Sequence, residues 1–559
     1  MFADRTRAWA NSAFRYNLGA LESGVKIDSG VAYKHVGDLT GYGDGRNKRV
    51  CIVGGGIAGL SAAYELLELG HEVTLLEASN RFGGRILTHY FADGTYGELG
   101  AMRIPKDHGC VWHYVTKFGL QPRLFVPGHD DGWCLFRDAP RMRRSEWELS
   151  WSSYYDVPAG AMRPTLQSMM ANLVSGVMGK VTPDDLWDSL SNELGNARLR
   201  EVEATALGQF VRGLPGTGVP RMSDDEWECV GRTRHHIWLE RCSLLHWIRE
   251  GEILDLGDKF EIVGGMDRLT RAFLTEIRGL QPDALSLASQ VLAIDCSEDG
   301  ALVTWRQARQ QAAQAELFDY VICSVPAPAT SRIRFNPDLP PRKREALTNL
   351  SYISAGKTIM RCSERHWEIH DKIFGGTSVT DRPNQQCWYP SDNRKEPDEK
   401  KTDHLTAELV LDPTRDLLEM DVVLTDSEVE REERSHAPAV FLAAYMWGTN
   451  GQRFASLTDA ERDDLICRSV AELHDYNDDY LEDVVHIAWD AQTNPGGGAF
   501  AFFAPAEQAR YQAALCAPLP ATGQPRVFFA GEHIGVIHGW IQSSIQSALA
   551  AVIDVLEAA

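Results

Sequence analysis

KRVCIVGGGIAGLSAAYELLELGHEVTLLEA, residues 48–78, decides the fold. The run RVCIV (49–53) is apolar and β-branched and predicts a buried strand. Gly54, Gly56 and Gly59 follow it in a G-x-G-x-x-G pattern and open the helix AGLSAAYELLELG. HEVTLLE predicts a second strand, ending in Glu77, 18 residues after Gly59. Glycines at these positions let the backbone turn tightly and approach a pyrophosphate. The helix N-terminus meets that phosphate with free N–H groups and the positive end of its dipole. An acid at the end of the second strand accepts ribose hydroxyls. Strand, glycines, helix, strand and acid agree on a Rossmann-like dinucleotide unit. Its candidate cofactor contacts are Gly54, Gly56, Ile57, Ala58, Gly59, Glu77 and Ala78. Glu77, where a 2′-phosphate binder would carry a basic residue, points to FAD or NAD rather than NADP.

At 559 residues the chain has room for about three domains or subdomains. Hydrophobic residues make up 44%, ample for a large core. The formal net charge of −22 argues against nucleic acid or an anionic membrane as partner. The 11 cysteines are scattered with no C-x-x-C pair, the pattern of reduced thiols. No signal-peptide h-region opens the chain, and the longest apolar run, CIVGGGIAGLSAAYELL, is glycine-rich and interrupted by Glu65. The expectation is a cytoplasmic enzyme. No H-E-x-x-H, Cys/His cluster or G-x-S-x-G elbow is present, so no metal site is expected. Residues 1–46 read as an arm and linker, 160–250 as mostly helical. The charged stretches 394–404 and 425–438 read as solvated loops or an exposed helix face.

One arginine sits oddly. GELGAMRIP (97–105) is small and apolar except for Arg103 and Glu98. Arg103 either pairs with Glu98 or waits for a ligand anion. Lys357 is similarly isolated in the apolar strand SAGKTIM.

EASNRFGGRILT (77–88) adds Arg81, Gly84 and Arg85 just after the acid, a second glycine turn with arginines to clamp the pyrophosphate. This extension resembles the FAD-dependent amine oxidase family. The resemblance continues in DKFEIVGGMDRL (258–269), in SQVLAI with Val291 at the adenine, and in RVFFAGEHIGVIHGWIQSSIQSAL (526–549). In that last segment it implies Glu532 on the ribityl chain and Gly539, Trp540, Ile541 and Ser544 along the flavin. GAMR (100–103), SAGKTIMRCSERHWE, GGTSVTDRPNQQCWYP and GAFAFFAP are most similar to the L-amino acid oxidase branch. This implies Gly100, Ala101, Met102 and Arg103 beside the cofactor. It also implies Arg103, Tyr389, Gly539 and Trp540 around the substrate, with Arg103 and Tyr389 on its carboxylate. The matching lysine, Lys357, holds a water near flavin N5 as the catalytic group.

The resemblance implies an α/β (α+β overall) architecture. A discontinuous FAD-binding domain takes 47–84, 255–345 and 500–559. A mixed-sheet substrate domain takes 1–30, 85–145 and 346–499, and a helical domain takes 146–254. The implied activity is oxidative deamination of an L-amino acid by non-covalent FAD, with dioxygen as co-substrate and peroxide as product. The side chain leans large or basic, such as L-arginine, and the assembly is a homodimer or homotetramer. An amino acid 2-monooxygenase stays open as a rival. A polyamine or monoamine oxidase also stays open, although it needs no Arg103.

Overall fold

The computed structural model describes residue 39 and residues 47–559. Within these, 107, 129–130, 157–164, 182–188, 190–193, 195–196, 214–221, 252–257, 309–311, 395–405, 409–422, 425–427, 475–480, 491–496, 521 and 536 are excepted. The readings of 1–46 as an arm, of 1–30 as part of the substrate domain, and of 394–404 as a loop lie almost wholly outside the described residues.

The quoted stretch forms strand Arg49–Val53, helix Ile57–Glu68 and strand Glu72–Leu76. It nucleates a five-stranded parallel sheet whose other members are Leu285–Ser286, Tyr320–Cys323 and Val527–Phe529. Val50 pairs with both Val73 and Tyr320, so the first strand lies at the centre. Its residues from Val50 are buried, as a sheet covered on both faces requires. Helices Ile57–Glu68 and Ile541–Ala558 cover the same side, and 15 residues of the latter are buried. The sheet is thus assembled from segments hundreds of residues apart, and the α/β class with a Rossmann-type unit is observed.

A second, seven-stranded mixed sheet runs in the order Leu481–Ala488, Ala355–Cys362, Ala439–Trp447, Gln386–Trp388, Thr377–Thr380, Trp133–Leu135, Met142–Arg143. Its second strand in that order, Ala355–Cys362, carries Lys357, opposite Tyr445 on one neighbour and Ile487 on the other. Between the two sheets in sequence, the described residues of 144–251 are largely helical, including Leu166–Met178, Asp224–Thr233 and Leu244–Gly251. Asp224–Thr233 starts with a capping box in which Ser223 Oγ accepts from Glu226 N. Segment 258–269 does not contact the nucleotide cavity. Its strand Lys259–Ile262 pairs with Ile104–Pro105 and Pro122–Phe125, bracing the chain around Arg103 from behind.

Candidate active site

A cavity of about 450 Å³ opens at the carboxyl ends of the parallel strands and runs to the second sheet. At its inner end Gly54 has φ +105°, and a Cβ on Gly59 would lie 1.9 Å from Gly54 O, so the helix can pack this closely on the strand only with glycine there. Helix Ile57–Glu68 begins at Gly56 with no side-chain cap and no acid in its first turn. Its free N–H groups are left for an anion. Glu77 is pinned by two backbone donors, Gly55 N at 2.7 Å and Ser79 N at 2.8 Å. Arg81 is spent on its own turn, donating to the Gly84 and Ile86 carbonyls.

Arg85 and Glu532, read separately as cofactor contacts, form an ion pair at 2.7 Å in which Glu532 is buried and Arg85 partly so. Glu532 also accepts from Ala501 N and Gly539 N. Burial works against its ionisation, yet Arg85 holds the carboxyl well below the usual range. This pair ties the glycine turn to the closing segment. There helix Ile541–Ala558 starts at Trp540 with no side-chain cap, a second uncapped N-terminus at the cavity. Ala78, Gly100, Ala101, Val291, Ile541 and Ser544 also line the space.

Arg103 stands outside this lining, next to Trp540, which belongs to it. Its guanidinium carbon lies 5.3 Å from the Trp388 ring centre and 5.6 Å from that of Trp540. Its Nε is buried with no hydrogen-bond partner, and no carboxylate among the described residues pairs with it. Glu98 is turned elsewhere, accepting from Met266 N at 2.8 Å and Thr88 Oγ1 at 3.0 Å. Lys357, 2% exposed, donates to Gly100 O at 2.6 Å, Glu98 O at 3.4 Å and Met102 Sδ at 3.2 Å. It sits 4.6 Å over the Tyr445 ring. Burial lowers its proton affinity, and Arg103 lowers it further.

Tyr389 is a correction. Its hydroxyl donates to Ser378 Oγ at 2.7 Å and meets His474 Nε2 at 3.0 Å, in a separate core cluster with Trp367 and Phe441. Alternation along the strand explains it, because Trp388 faces Arg103 and its neighbour must face away. Met102, Arg103 and Gly59 are not among the residues that line the cavity. Trp388, Tyr445, Trp489 and Phe500 were not singled out from sequence; only the alternation in CWYP hinted at the first. His235 has φ +65°. Burial, then Arg144, His236 and Arg103, depress its pKa strongly, so Arg103 is within its electrostatic reach.

A family model for flavin containing amine oxidoreductases matches residues 57–556. The chain belongs to the flavin-containing amine oxidoreductase family. It is an FAD-dependent oxidoreductase, and the cavity fits that cofactor. Two uncapped helix N-termini, a glycine turn and the acid Glu77 are the groups that could hold it. Among curated relatives of this oxidoreductase, the L-amino-acid oxidase of Echis ocellatus is 30% identical over 519 residues, spanning 91% of this chain and 89% of the relative. That of Vipera ammodytes ammodytes is 27% identical over 529 residues, with 91% and 92% covered. Cyclohexylamine oxidase from Brevibacterium oxydans shares the fold at TM-score 0.62 with 17% identity over 91% of this chain and 98% of its own. A putrescine oxidase variant does so at 0.64, also with 17% identity and 91% and 98% covered. No described helix of the oxidoreductase is long and apolar enough to cross a membrane.

Proposed function

We propose that this flavin amine oxidoreductase oxidises an L-α-amino acid to its imino acid. Water hydrolyses the imino acid to the 2-oxo acid and ammonia, and dioxygen leaves as hydrogen peroxide. One observation carries the reading: Arg103 is a partly buried guanidinium beside two tryptophan rings, its Nε buried without a partner and with no counter-charge among the described residues. A partly desolvated cation of this kind favours a ligand that supplies the anion, and a carboxylate does so through paired charge-assisted bonds. Bound FAD supplies the hydride acceptor. Arg103 fixes the carboxylate, Trp388 and Trp540 restrict the substrate and exclude water, and Gly539 leaves room beside them. Lys357, lowered to about 7 by burial, can take a proton at Nζ or hold a water.

The cofactor is bound without a covalent link, a reading supported by a cavity lining that contains no cysteine or histidine among the described residues. The eleven cysteines are all free, which supports a reducing, cytoplasmic setting. The domain division given above is proposed with it. A large or cationic side chain, such as that of L-arginine, is the proposed preference. The test is peroxide and ammonia release across the twenty L-amino acids, D-forms and polyamines, with product mass. Turnover of L-amino acids alone is expected. Peroxide from polyamines only would overturn the reading, and amide with carbon dioxide would make the chain a monooxygenase.

A further inference from the structure

Helix Gly109–Lys117 starts at His108 with no side-chain cap of its own, so its first N–H groups need an acceptor from elsewhere. That acceptor comes from across the fold. Gln542 Oε1 accepts from Cys110 N at 2.9 Å and from Val111 N at 3.3 Å. Gln542 is 7% exposed and sits in the first turn of helix Ile541–Ala558, just after Trp540. We propose that Gln542 is a positioning residue: by clamping two helix N-termini together it fixes the Trp540 ring beside Arg103, and so sets how tightly the site holds a carboxylate. This rests on the reading of Arg103 as the carboxylate anchor.

Both sides of the clamp lead to that anchor. On one side, helix Gly109–Lys117 holds the chain that carries Arg103. Trp112 Nε1 donates to Pro105 O at 3.0 Å, and His108 N donates to the same carbonyl at 3.2 Å. On the other side, the His108 ring stands edge-on to the Trp540 ring, with 5.0 Å between centres and 86° between planes. Burial, with Lys259 nearby, lowers the His108 pKa to about 3, so this ring meets the indole uncharged. Trp540 is the N-cap residue of its helix and has extended backbone, outside the helical ladder. Its neighbours are pinned instead: Gly539 N donates to Glu532 Oε2 at 3.2 Å, and Gln542 is held by the clamp. Trp540 lines the cavity and Gln542 does not, so Gln542 acts on a bound substrate through Trp540. The Arg103 guanidinium carbon lies 5.6 Å from that indole. Cys110 and Val111 are buried, so removing the acceptor orphans two donors that water cannot reach. The two helix ends can then part, and the spacing of Trp540 and Arg103 relaxes.

Benzoate, a carboxylate with no amine to oxidise, is the probe, titrated into the FAD-loaded enzyme by calorimetry. Steady-state kinetics with the best L-amino acid substrate run beside it. Gln542→Met keeps the length and removes the acceptor, whereas Gln542→Glu keeps the acceptor. In Gln542→Met, benzoate Kd and KM should both rise about fivefold to twentyfold, the worth of one or two hydrogen bonds read as affinity. The turnover number should stay within about twofold, because the carboxylate is held in ground and transition state alike. Gln542→Glu should bind benzoate within about twofold of the wild type, since a carboxylate is favoured at a helix N-terminus. In a Trp540→Leu background, adding Gln542→Met should change Kd by less than about twofold. Kd unchanged in Gln542→Met, or the same loss in both backgrounds, overturns the proposal while leaving the Arg103 reading intact. Benzoate affinity unchanged in Arg103→Met, or no binding by the wild type, overturns both. If Gln542→Met does not retain flavin, His108→Ala decides. It should weaken benzoate binding by at least about threefold, with His108→Phe restoring it, and an unchanged Kd overturns the proposal.

Discussion

Replacing Arg103 with methionine separates a substrate anchor from a structural ion pair, because the two roles move opposite quantities. The guanidinium is flanked by Trp388 and Trp540 at 5.3 and 5.6 Å and leaves Nε without a partner. Two charge-assisted bonds to a substrate carboxylate at ~1.5–3 kcal/mol each amount to ~3–6 kcal/mol. That corresponds to a loss of roughly 10²–10⁴ in kcat/KM. The contact is made in ground and transition state alike, so most of the loss should fall on KM. Stability should behave differently. A partly buried cation without a counter-charge among the described residues costs some free energy, and methionine of similar length removes that cost while keeping contact with both rings. The melting temperature of the FAD-loaded variant should therefore hold or rise. Breaking a buried structural pair would instead cost ~3–5 kcal/mol. The assays are steady-state peroxide release with the preferred L-amino acid and flavin-fluorescence melting. A fall in kcat/KM of less than about tenfold together with a clear drop in melting temperature would refute the reasoning.

Gly59→Ala places a Cβ against Gly54 O, which would stand 1.9 Å away, so the nucleotide helix must shift. FAD affinity should fall on the order of tenfold to a hundredfold, read as lost yellow colour after gel filtration and recovered with excess FAD. Tyr389→Phe loses the contacts to Ser378 and His474, not a substrate contact, so it should lower the melting temperature while leaving KM within about twofold. Lys343, 1% exposed, donates to the carbonyls of Ala514, Leu515 and Ala517 at the end of helix Glu507–Cys516. Lys343→Met leaves those acceptors orphaned and should cost ~3 kcal/mol of stability, measured by denaturant midpoint, with the flavin spectrum of the surviving fold unchanged.

The nucleotide unit was legible because its constraints are local. Gly54 and Gly59 are demanded by a turn and a contact within a few residues of themselves, so the glycine spacing carries the geometry. Arg103 was legible for a related reason, as a charge without a neighbour able to balance it. Pairings across the fold were not. Arg85 and Glu532 are 447 residues apart, and each was assigned to the cofactor without the other. Tyr445 reaches the cavity only because its strand pairs with that of Lys357, a register that no short segment encodes. Tyr389 was misplaced by a single position. In CWYP two aromatic residues are adjacent, strand geometry sends them to opposite faces, and the segment alone does not say which face is the cavity.

The charge of the whole chain misleads in the same way. A protein with net charge −22 nevertheless puts Lys357 in the cavity wall and Arg103 beside Trp540 of that wall. What holds them there is not opposite charge. Arg103 rests between indole faces, and Lys357 donates to backbone carbonyls and a thioether. Ring quadrupoles and peptide dipoles can seat a cation without neutralising it. A direct carboxylate contact on either residue would have cancelled the charge that a substrate anion needs, and would have fixed the lysine in its protonated form. Glu98, an acid that acts on Lys357, instead accepts from Met266 N and Thr88 Oγ1. The site therefore keeps one cation free for an anion and one amine able to change its proton, a division that follows from where Glu98 points.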